Sequence, residues 1–541
     1  MSENMFDFEA DVLVVGSGAA GLAAAVTAAR EGCSVVLFER EEHLGGTTGL
    51  SGGTAWIPNN TSMRGLGIED PRDDALRYLA RTAFPQYYSA DHETLGLPVE
   101  NYEMLATFYD VGSVALDYLT EAGALDVHAE VGPSDLMGIE FPDYSAHLDE
   151  DTVIEGRHVG PGFTSGVTMV DQLSAGAANL GVEVRTGHTV QAVLRVETDG
   201  VLGLEVRAGH RALVARAERA IVFGSGGYAH NPEYVRRYLP GRVYGTCATP
   251  GAMGDFLRIG QQLGAKLGNM HHAWWKQVPV EVALRSPGPP SVFLPYGDAM
   301  IQVNKYGRRV VNEKAPYNER GQIHAQYDIT GREYPNQLLF MIWDDTVAQA
   351  PNPWPFRPPV PQPDEKVDYV VSADSWAELA ELIDARLAAI ATETGGARLG
   401  PDFLENLHAT VERFNGFAQT GVDEDFHRGE SPIEQSWNAP RRPGSPNATM
   451  APFSPEGPYH CVILGAGTLD TNGGPVTDAA ARVLDATGTP IPGVFGAGNC
   501  VASPAGQAYW GPGATIGLAL TFGHIAGREA AKAPVQEPAL G

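Results

Sequence analysis

Cysteine is scarce in this chain of 541 residues, which has four: Cys33, Cys247, Cys461 and Cys500. No two of them have the C-x-x-C spacing of a zinc or redox motif. This scarcity argues against a disulfide framework and indicates a reducing compartment such as the cytoplasm. The adjacent His271 and His272 would point apart on a strand and lack further ligands nearby. We therefore predict no metal site.

Positive charge is also in short supply. Lys and Arg number 37 against 66 Asp and Glu, which gives a net charge of −29 at pH 7. Such a field repels nucleic acid and anionic lipid, so neither is an expected partner. No apolar run reaches the length of a membrane span, and residues 1–11 lack the basic start of a signal peptide. Peripheral association with a membrane stays open.

The first chemical motif lies near the N-terminus. The apolar run 11–15 is typical of a buried parallel strand, and it leads into a G-S-G-A-A-G motif at 16–21 and an alanine-rich helix. A second apolar strand, 34–38, ends at Glu39. The glycines allow a pyrophosphate to approach a helix N-terminus, and the acid can accept hydrogen bonds from a ribose diol. The sequence therefore predicts a dinucleotide site.

The segment that follows favours a flavin over a nicotinamide nucleotide. Residues 44–54 form a second run of small residues, which would let the chain pass close to a ribityl diphosphate and an isoalloxazine. Two later segments, 220–228 and 493–499, are again apolar strands followed by glycines. The carboxyl ends of these strands are expected to converge on one long cofactor. This pattern predicts a nucleotide domain that is split by an insertion.

A tyrosine followed by a glycine-rich turn is the last motif, at 506–517, and an apolar helix follows it. Such a junction can aim the Tyr509 hydroxyl and the backbone N–H of Gly513 at one developing oxyanion. The alternative is a loop that only touches the cofactor. This segment alone does not decide between the two.

Aromatic residues recur in a fixed order upstream of that turn. Phe141 stands three residues before Tyr144. A G-R-R-x-V-N-E segment at 307–313 leads to Tyr317, and the aromatic Phe293 lies before it.

Together with Tyr509 four residues before Gly513, this order carries a family resemblance. The chain resembles the FAD-dependent 3-ketosteroid dehydrogenases of the Δ1 type, within the fumarate reductase and succinate dehydrogenase flavoprotein family. Two departures stand out. Trp510 replaces the proline that the family usually has, and we expect it to reshape the pocket entrance. Residues 145–151 replace a short Pro-Glu and glycine-rich stretch.

The resemblance implies removal of two hydrogens from adjacent ring carbons beside the ketone of a flat, lipophilic 3-ketosteroid. It makes Tyr317 the base, acting as tyrosinate with help from Tyr144 through a hydrogen bond. Tyr509 and the backbone N–H of Gly513 would polarise the ketone oxygen. An electron acceptor, which the sequence does not identify, would reoxidise the flavin. The predicted apolar walls of the substrate pocket are Phe141 and Phe293.

FAD is expected to be bound without a covalent link, since no histidine occurs between residues 49 and 58. The residues that we predict to bind it are Gly16, Gly18, Ala19, Ala20, Gly21, Glu39, Arg40, Gly46, Thr47, Thr48, Ser51, Gly52, Gly53, Val190, Gly224, Gly226, Gly227, Gly498, Asn499, Gly513, Thr515 and Ile516.

The predicted architecture is α/β. A Rossmann-like FAD-binding domain, built of a parallel sheet with helices, is interrupted by an inserted α+β domain for substrate and catalysis. Residues 1–276 and 450–541 form the two parts of the FAD-binding domain, and 277–449 form the insertion.

Three alternatives stay open. A 3-keto-5α-steroid Δ4-dehydrogenase shares the fold and the middle tyrosine, although the four-residue spacing after Tyr509 favours the Δ1 type. A fumarate reductase-like flavoprotein acting on another enone or acid would need convergent arginine and histidine side chains for a dicarboxylate. A flavin-binding protein without catalysis would need neither the base nor the oxyanion residues.

Overall fold

A computed structural model describes residues 6–129, 143–145, 155–161, 166–195, 201–286, 297–350, 359–363, 365–436 and 442–535. Phe141 and Phe293, the two predicted pocket walls, lie outside the described residues. Tyr144 lies in the short described segment 143–145. Every other predicted site residue is described, so its placement can be compared with the prediction.

The strands in the described part of the chain are numbered here in chain order. They are β1 Phe8–Val15, β2 Val35–Phe38, β3 Ala55–Trp56, β4 His128–Ala129, β5 His158–Gly160, β6 Glu183–Arg185, β7 His188–Arg195, β8 Val201–Ala208, β9 Arg211–Phe223, β10 Val243–Thr246, β11 Leu267–Gly268, β12 Ala273–Pro279, β13 Met300–Val303, β14 Leu338–Asp344, β15 Val370–Ala373, β16 Tyr459–Thr471, β17 Gly474–Pro475, β18 Arg482–Leu484 and β19 Pro490–Gly496.

Helices of the same part are numbered likewise. They are α1 Ala19–Arg30, α2 Gly46–Gly49, α3 Thr61–Gly65, α4 Arg72–Ala83, α5 Val99–Glu121, α6 Gly166–Asn179, α7 Pro232–Tyr238, α8 Asp255–Gln262, α9 Val280–Arg285, α10 Tyr317–Gln322, α11 Asp345–Ala348, α12 Trp376–Ala389, α13 Ala391–Thr394, α14 Phe403–Thr420, α15 Pro432–Ser436 and α16 Ala514–Lys532. None of these described helices combines the length and the apolarity that crossing a membrane requires.

The first sheet carries the glycine motifs. Its order is β18-β19-β9-β1-β2-β6, and β7 and β8 extend it through β9. β1 lies parallel between β2 and β9, with Val15 opposite both Phe38 and Phe223, and β19 lies parallel to β9. Because these parallel strands end at the same edge, the glycine turns after β1, β9 and β19 meet there. The predicted α/β fold with a parallel sheet is confirmed.

Helix α16 returns the C-terminal part of the chain to the first glycine motif. A Cβ added at Gly523 or Gly527 would lie 2.4 or 2.3 Å from the carbonyl oxygen of Ala20 or Ala24, so these glycines let α16 pack directly on α1. This register makes the two helices parallel. It also extends α16 eight residues, or about 12 Å, beyond the start of α1. The N-termini of α1 and α16 therefore lie about 12 Å apart along the direction that the two helices share.

The second sheet is built around the long strand β16. This strand pairs with β10, β12, β14 and β15, and β13 pairs with β14. Helices α12 and α14 contribute side chains such as Leu379 and Phe414 to the core beside it. Strands of this sheet come from before residue 276, from 277–449 and from after 450. One sheet therefore contains strands from all three predicted segments. The predicted domain boundaries, between 276 and 277 and between 449 and 450, stay a prediction.

The expectation that His271 and His272 point apart was wrong. Their ring centroids lie only 4.0 Å apart. The reason is a turn, in which Asn269 has φ of 54° and the backbone N–H of His272 donates to its carbonyl oxygen at 2.9 Å. Burial and the neighbouring His271 lower the pKa of His272 to about 4. At neutral pH the His272 ring is therefore uncharged.

Candidate active site

One continuous cleft runs from the glycine turns of the first sheet to the C-terminal tyrosine. Its wall includes Leu50, Thr54, Trp274, Tyr317 and Tyr509. The residues predicted to bind the cofactor that line it are Gly16, Gly18, Ala19, Ala20, Glu39, Arg40, Gly46, Thr47, Thr48, Ser51, Gly52, Gly53, Val190, Gly224, Gly226, Gly498, Asn499, Gly513, Thr515 and Ile516.

Two predicted cofactor residues, Gly21 and Gly227, do not line the cleft. A Cβ at Gly21 would lie 1.9 Å from the carbonyl oxygen of Gly16, so this glycine lets α1 pack against the turn that precedes it. A Cβ at Gly227 would lie 2.3 Å from an Asp470 carboxylate oxygen. Both glycines serve close packing behind the cleft.

Glu39 organises the first glycine turn. Its buried carboxylate accepts hydrogen bonds from the Ser17 backbone N–H at 3.0 Å, the Ser17 hydroxyl at 2.6 Å and the Glu41 backbone N–H at 2.9 Å. The Ser17 hydroxyl oxygen also accepts from the backbone N–H of Gly45 at 2.9 Å. One carboxylate therefore ties the first glycine turn to the second run of small residues.

Arg40, the next residue, faces the same end of the cleft. It forms an ion pair with Asp255 at 2.6 Å and donates to the carbonyl oxygen of Gly251 at 3.1 Å. Among the described residues that line the cleft, Arg40 is the only arginine or lysine. The opposite end of the described lining, near the tyrosines, carries no such cation.

Three tyrosines from distant parts of the chain meet at that opposite end. The ring centroids of Tyr317 lie 5.5 Å from Tyr144 and 5.3 Å from Tyr509, and those of Tyr144 and Tyr509 lie 5.9 Å apart. All three are buried. Tyr317 and Tyr509 line the cleft and Tyr144 does not. The cluster thus places Tyr144 behind the two tyrosines that a bound molecule could touch.

Burial sets the acidity of this cluster. It raises the pKa of Tyr144 and of Tyr317 well above the usual value near 10, and it raises that of Tyr509 less. Interactions with the hydroxyls of Tyr144 and Tyr509 raise the pKa of Tyr317 further. All three phenols are therefore protonated at neutral pH.

The N-terminus of α16 faces the hydroxyl of Tyr509. The N-cap is Gly513, with φ of 91°, and an added Cβ there would lie 2.3 Å from the carbonyl oxygen of Thr54. The Gly513 backbone N–H and the Thr515 hydroxyl both act on the Tyr509 oxygen and oppose the effect of burial on its pKa. A phenol and a helix N-terminus thus lie together at this end of the cleft, and their use as an oxyanion site stays a prediction.

Tyr317 is positioned by the first turn of α10. The side-chain carbonyl of the next residue, Asn318, accepts from the Trp275 backbone N–H at 3.0 Å, and its amide donates to the carbonyl oxygen of Gln507 at 3.0 Å. Gln507 lies two residues before Tyr509. One buried asparagine therefore joins β12, α10 and the C-terminal turn.

The G-R-R-x-V-N-E segment, which ends four residues before Tyr317, is held by buried ion pairs. Glu313 pairs with Arg309 at 2.7 Å and with Arg428 at 3.1 Å, and Arg309 also pairs with Asp423 at 2.8 Å. Burial alone would raise the pKa of Glu313, but the two arginines outweigh it and hold the value at about 2. The segment is a buried ionic network and contributes no group to the described cleft lining.

Trp510 is a structural residue. The expectation that it reshapes the pocket entrance was wrong, since its side chain is 1% exposed and is absent from the cleft lining. The indole stacks on Phe108 at 5.6 Å and packs on Trp56 at 5.7 Å, and its N–H donates to the Thr82 hydroxyl at 3.0 Å. The indole ring therefore packs in the core, where side chains of β3, α4 and α5 contact it.

Sequence reasoning missed several residues of the cleft wall, of which Asp470 is the most prominent. Its buried carboxylate accepts from the Gly227 backbone N–H at 3.1 Å and from the Asn499 amide at 3.1 Å. Burial raises its pKa to about 6. Cys247 lines the same wall, and the buried Lys276 ammonium donates to its sulfur at 2.8 Å. No motif marks these residues, because they come from the strands of the second sheet and the turns beside them.

Comparisons with known proteins agree with this geometry. The FAD binding domain family matches residues 11–516. The chain is 31% identical to 4-oxocyclohexanecarboxylate 2-dehydrogenase of Sinomonas cyclohexanicum, over 96% of this chain and 92% of that protein. It is also 31% identical to 3-oxosteroid 1-dehydrogenase of Mycolicibacterium smegmatis, over 96% of each.

A solved structure shares the fold. It is the 3-ketosteroid delta1-dehydrogenase from Sterolibacterium denitrificans in complex with 1,4-androstadiene-3,17-dione. The TM-score is 0.79 at 24% identity, and the match covers 97% of this chain and 99% of that one. The described part of the chain, including both sheets, therefore shares the fold of that structure.

Proposed function

Since the chain belongs to the FAD binding domain family, and to the group within it that contains 3-oxosteroid 1-dehydrogenases, we propose that it introduces a C1–C2 double bond into 3-ketosteroids. It is a flavin oxidoreductase, and FAD is its cofactor. The resemblance drawn from its motifs is confirmed. The observation that carries the proposal is the meeting of Tyr317, Tyr509 and the Gly513 N–H at one end of the cleft.

The described residues fit a bound FAD. The φ of 97° at Gly16 and its contact with Gly224 leave backbone rather than side chain at the N-terminus of α1, where a pyrophosphate would be held. Glu39 offers a carboxylate to a ribose diol. Gly513, Thr515 and Ile516, at the N-terminus of α16, line the other end of the same cleft and would contact the bound cofactor there. We propose that FAD is held there without a covalent bond.

Glu39→Gln is expected to weaken FAD binding by about tenfold or more, because charge-assisted hydrogen bonds that order the glycine turn become neutral ones. The exposed Glu42→Gln is the matched control, since it makes the same charge change three residues away. Retained FAD is measured by the ratio of 450 to 280 nm absorbance after gel filtration. Equal retention in both variants would contradict the role of Glu39.

The proposed chemistry needs four groups of this chain. Tyr509 and the Gly513 N–H donate to the ketone oxygen, so that the adjacent C–H becomes acidic. Tyr317, as tyrosinate, takes that proton, and a hydrogen bond donated by the Tyr144 hydroxyl would stabilise the tyrosinate once Tyr317 has ionised. Bound FAD supplies the acceptor for the hydride that leaves the β-carbon. The carbonyl then re-forms beside the new double bond, and Tyr317 is left protonated.

Anaerobic mixing of the holoenzyme with a steroid panel tests the proposal. A 3-keto-4-ene steroid is expected to bleach the flavin absorbance and to yield a product with a C1–C2 double bond, identified by mass and NMR. A saturated 3-keto-5α-steroid that gains only a C4–C5 double bond would assign the Δ4 reaction instead. Failure of every ketone to bleach the flavin, with reoxidation of the reduced protein by fumarate, would overturn the proposal.

A monocyclic keto acid is a second candidate substrate. The observation in its favour is the 31% identity to a dehydrogenase of 4-oxocyclohexanecarboxylate, which equals the identity to the steroid enzyme. Its carboxylate would need a cation, and the described lining near the tyrosines holds none. Adding 4-oxocyclohexanecarboxylate to the panel separates the two, since the same tyrosines would serve either ring. A larger kcat/KM for the keto acid would assign the smaller substrate.

A further inference from the structure

Tyr144 and Tyr509 are joined through main-chain groups beside them, apart from the contact of their rings. The backbone N–H of Tyr144 donates to the carbonyl oxygen of Trp510 at 3.1 Å. Trp510 directly follows Tyr509 in the chain. A shift of either segment is therefore passed to the other through this hydrogen bond.

The hydroxyl of Tyr78, on α4, closes this junction. It donates to the same Trp510 carbonyl oxygen at 2.7 Å and accepts from the backbone N–H of Ser145 at 3.3 Å. Tyr78 is fully buried and does not line the cleft. One phenol thus binds the residue after Tyr144 and the residue after Tyr509.

A buried ionic network fixes the other side of Tyr144. The Asp143 carboxylate accepts from the Trp56 indole N–H at 2.6 Å and pairs with Arg157, which in turn holds Asp70 at 2.7 Å. The Arg157 guanidinium lies over the Tyr78 ring, 5.5 Å from its centroid. These paired and fully buried charged groups hold a single geometry, because separating a pair would leave a buried charge without its partner.

We propose that the Tyr78 hydroxyl is a positioning group, which sets the separation between the segments that carry Tyr144 and Tyr509. Tyr317 lies against both tyrosines, and both act on its ionisation, so this separation affects how readily Tyr317 ionises. The inference rests on the proposed function for its kinetic consequence. The hydrogen-bonded junction itself does not depend on the substrate.

Tyr78→Phe tests the proposal, because it removes one oxygen and keeps the ring. Tyr459→Phe is the matched control, because this buried tyrosine of β16 also donates to a backbone carbonyl oxygen, that of Ser454 at 3.0 Å, and lies in the second sheet. Hydrogen–deuterium exchange of the holoenzyme is expected to quicken about 2- to 10-fold in the peptide that holds residues 143–145 for Tyr78→Phe alone.

The kinetic readout is the pH profile of flavin bleaching by the ketone. For Tyr78→Phe we expect the apparent pKa of the base to shift by about half a pH unit or more and kcat to fall severalfold, with KM unchanged. Tyr459→Phe should keep the wild-type profile.

Each outcome decides the proposal. Unchanged exchange at 143–145 overturns it whatever the substrate is. Faster exchange with an unshifted pH profile also overturns it, since the hydroxyl would then be structural only. A wild-type protein that no ketone bleaches would overturn the proposed function, and the exchange experiment would still show whether Tyr78 joins the two segments.

Discussion

Tyr317→Phe is expected to give a yellow, FAD-bound protein whose kcat is lower by about 10²–10⁴-fold, the range for loss of a general base. The side chain lines the cleft and lies against the two other tyrosines. Phenylalanine keeps the ring contacts, so the fold and the cofactor site should persist. Anaerobic bleaching rates under single-turnover conditions measure the loss without interference from flavin reoxidation.

The pH dependence of the same variant gives a second, independent result. Burial raises the pKa of Tyr317 above its usual range, so tyrosinate is a minor species at neutral pH. The wild-type kcat/KM should therefore rise with pH until the pKa of the base is reached. Tyr317→Phe should lose this rise, because the remaining rate no longer depends on that ionisation.

The control for Tyr317→Phe is Tyr244→Phe. Tyr244 is a buried tyrosine of the second sheet, and burial raises its pKa too. It does not line the cleft, so its loss should leave both the rate and the pH profile unchanged. A Tyr317→Phe variant with near-normal kcat would mean that another group takes the proton.

Local sequence patterns were sufficient for the first glycine turn. The strand, the glycines, the helix and Glu39 follow one another within 11–39, and each has a direct physical requirement at its position. The structure brings these residues to one cleft as expected, apart from Gly21, which packs behind it. Short-range order of this kind can be read from one sequence.

The tyrosine cluster could not be predicted from local sequence patterns. Tyr144, Tyr317 and Tyr509 come from three distant segments, and only the resemblance to a family suggested that they act together. The partners that fix them, such as Tyr78 and Arg157, carry no motif. Their role depends on which elements pack side by side, and hydrophobic periodicity does not specify such pairings.

The same limit explains the errors on local geometry. A strand would hold His271 and His272 apart, whereas a turn with a left-handed Asn269 places their rings in contact. The replacement of the family's usual proline by Trp510 suggests a change at the pocket entrance. Its indole instead lies in the core, where it packs against Phe108 and Trp56.

Tyr509→Phe is expected to lower kcat by about 10²–10³-fold, which corresponds to about 2.7–4 kcal/mol for one oxyanion donor. The remaining donor, the Gly513 N–H at the start of α16, explains why activity should not vanish. Unlike Tyr317→Phe, this variant keeps its base, so the rise of kcat/KM with pH should persist at a lower level.

Comparing the two variants separates base from oxyanion donor. If Tyr509→Phe loses the pH-dependent rise and Tyr317→Phe keeps it, the two roles are exchanged. If both lose it, the cluster titrates as one unit, and the double variant should then be no slower than either single variant. Separate roles instead predict that the double variant is slower than both, because the ketone would lose polarisation by Tyr509 as well as its base.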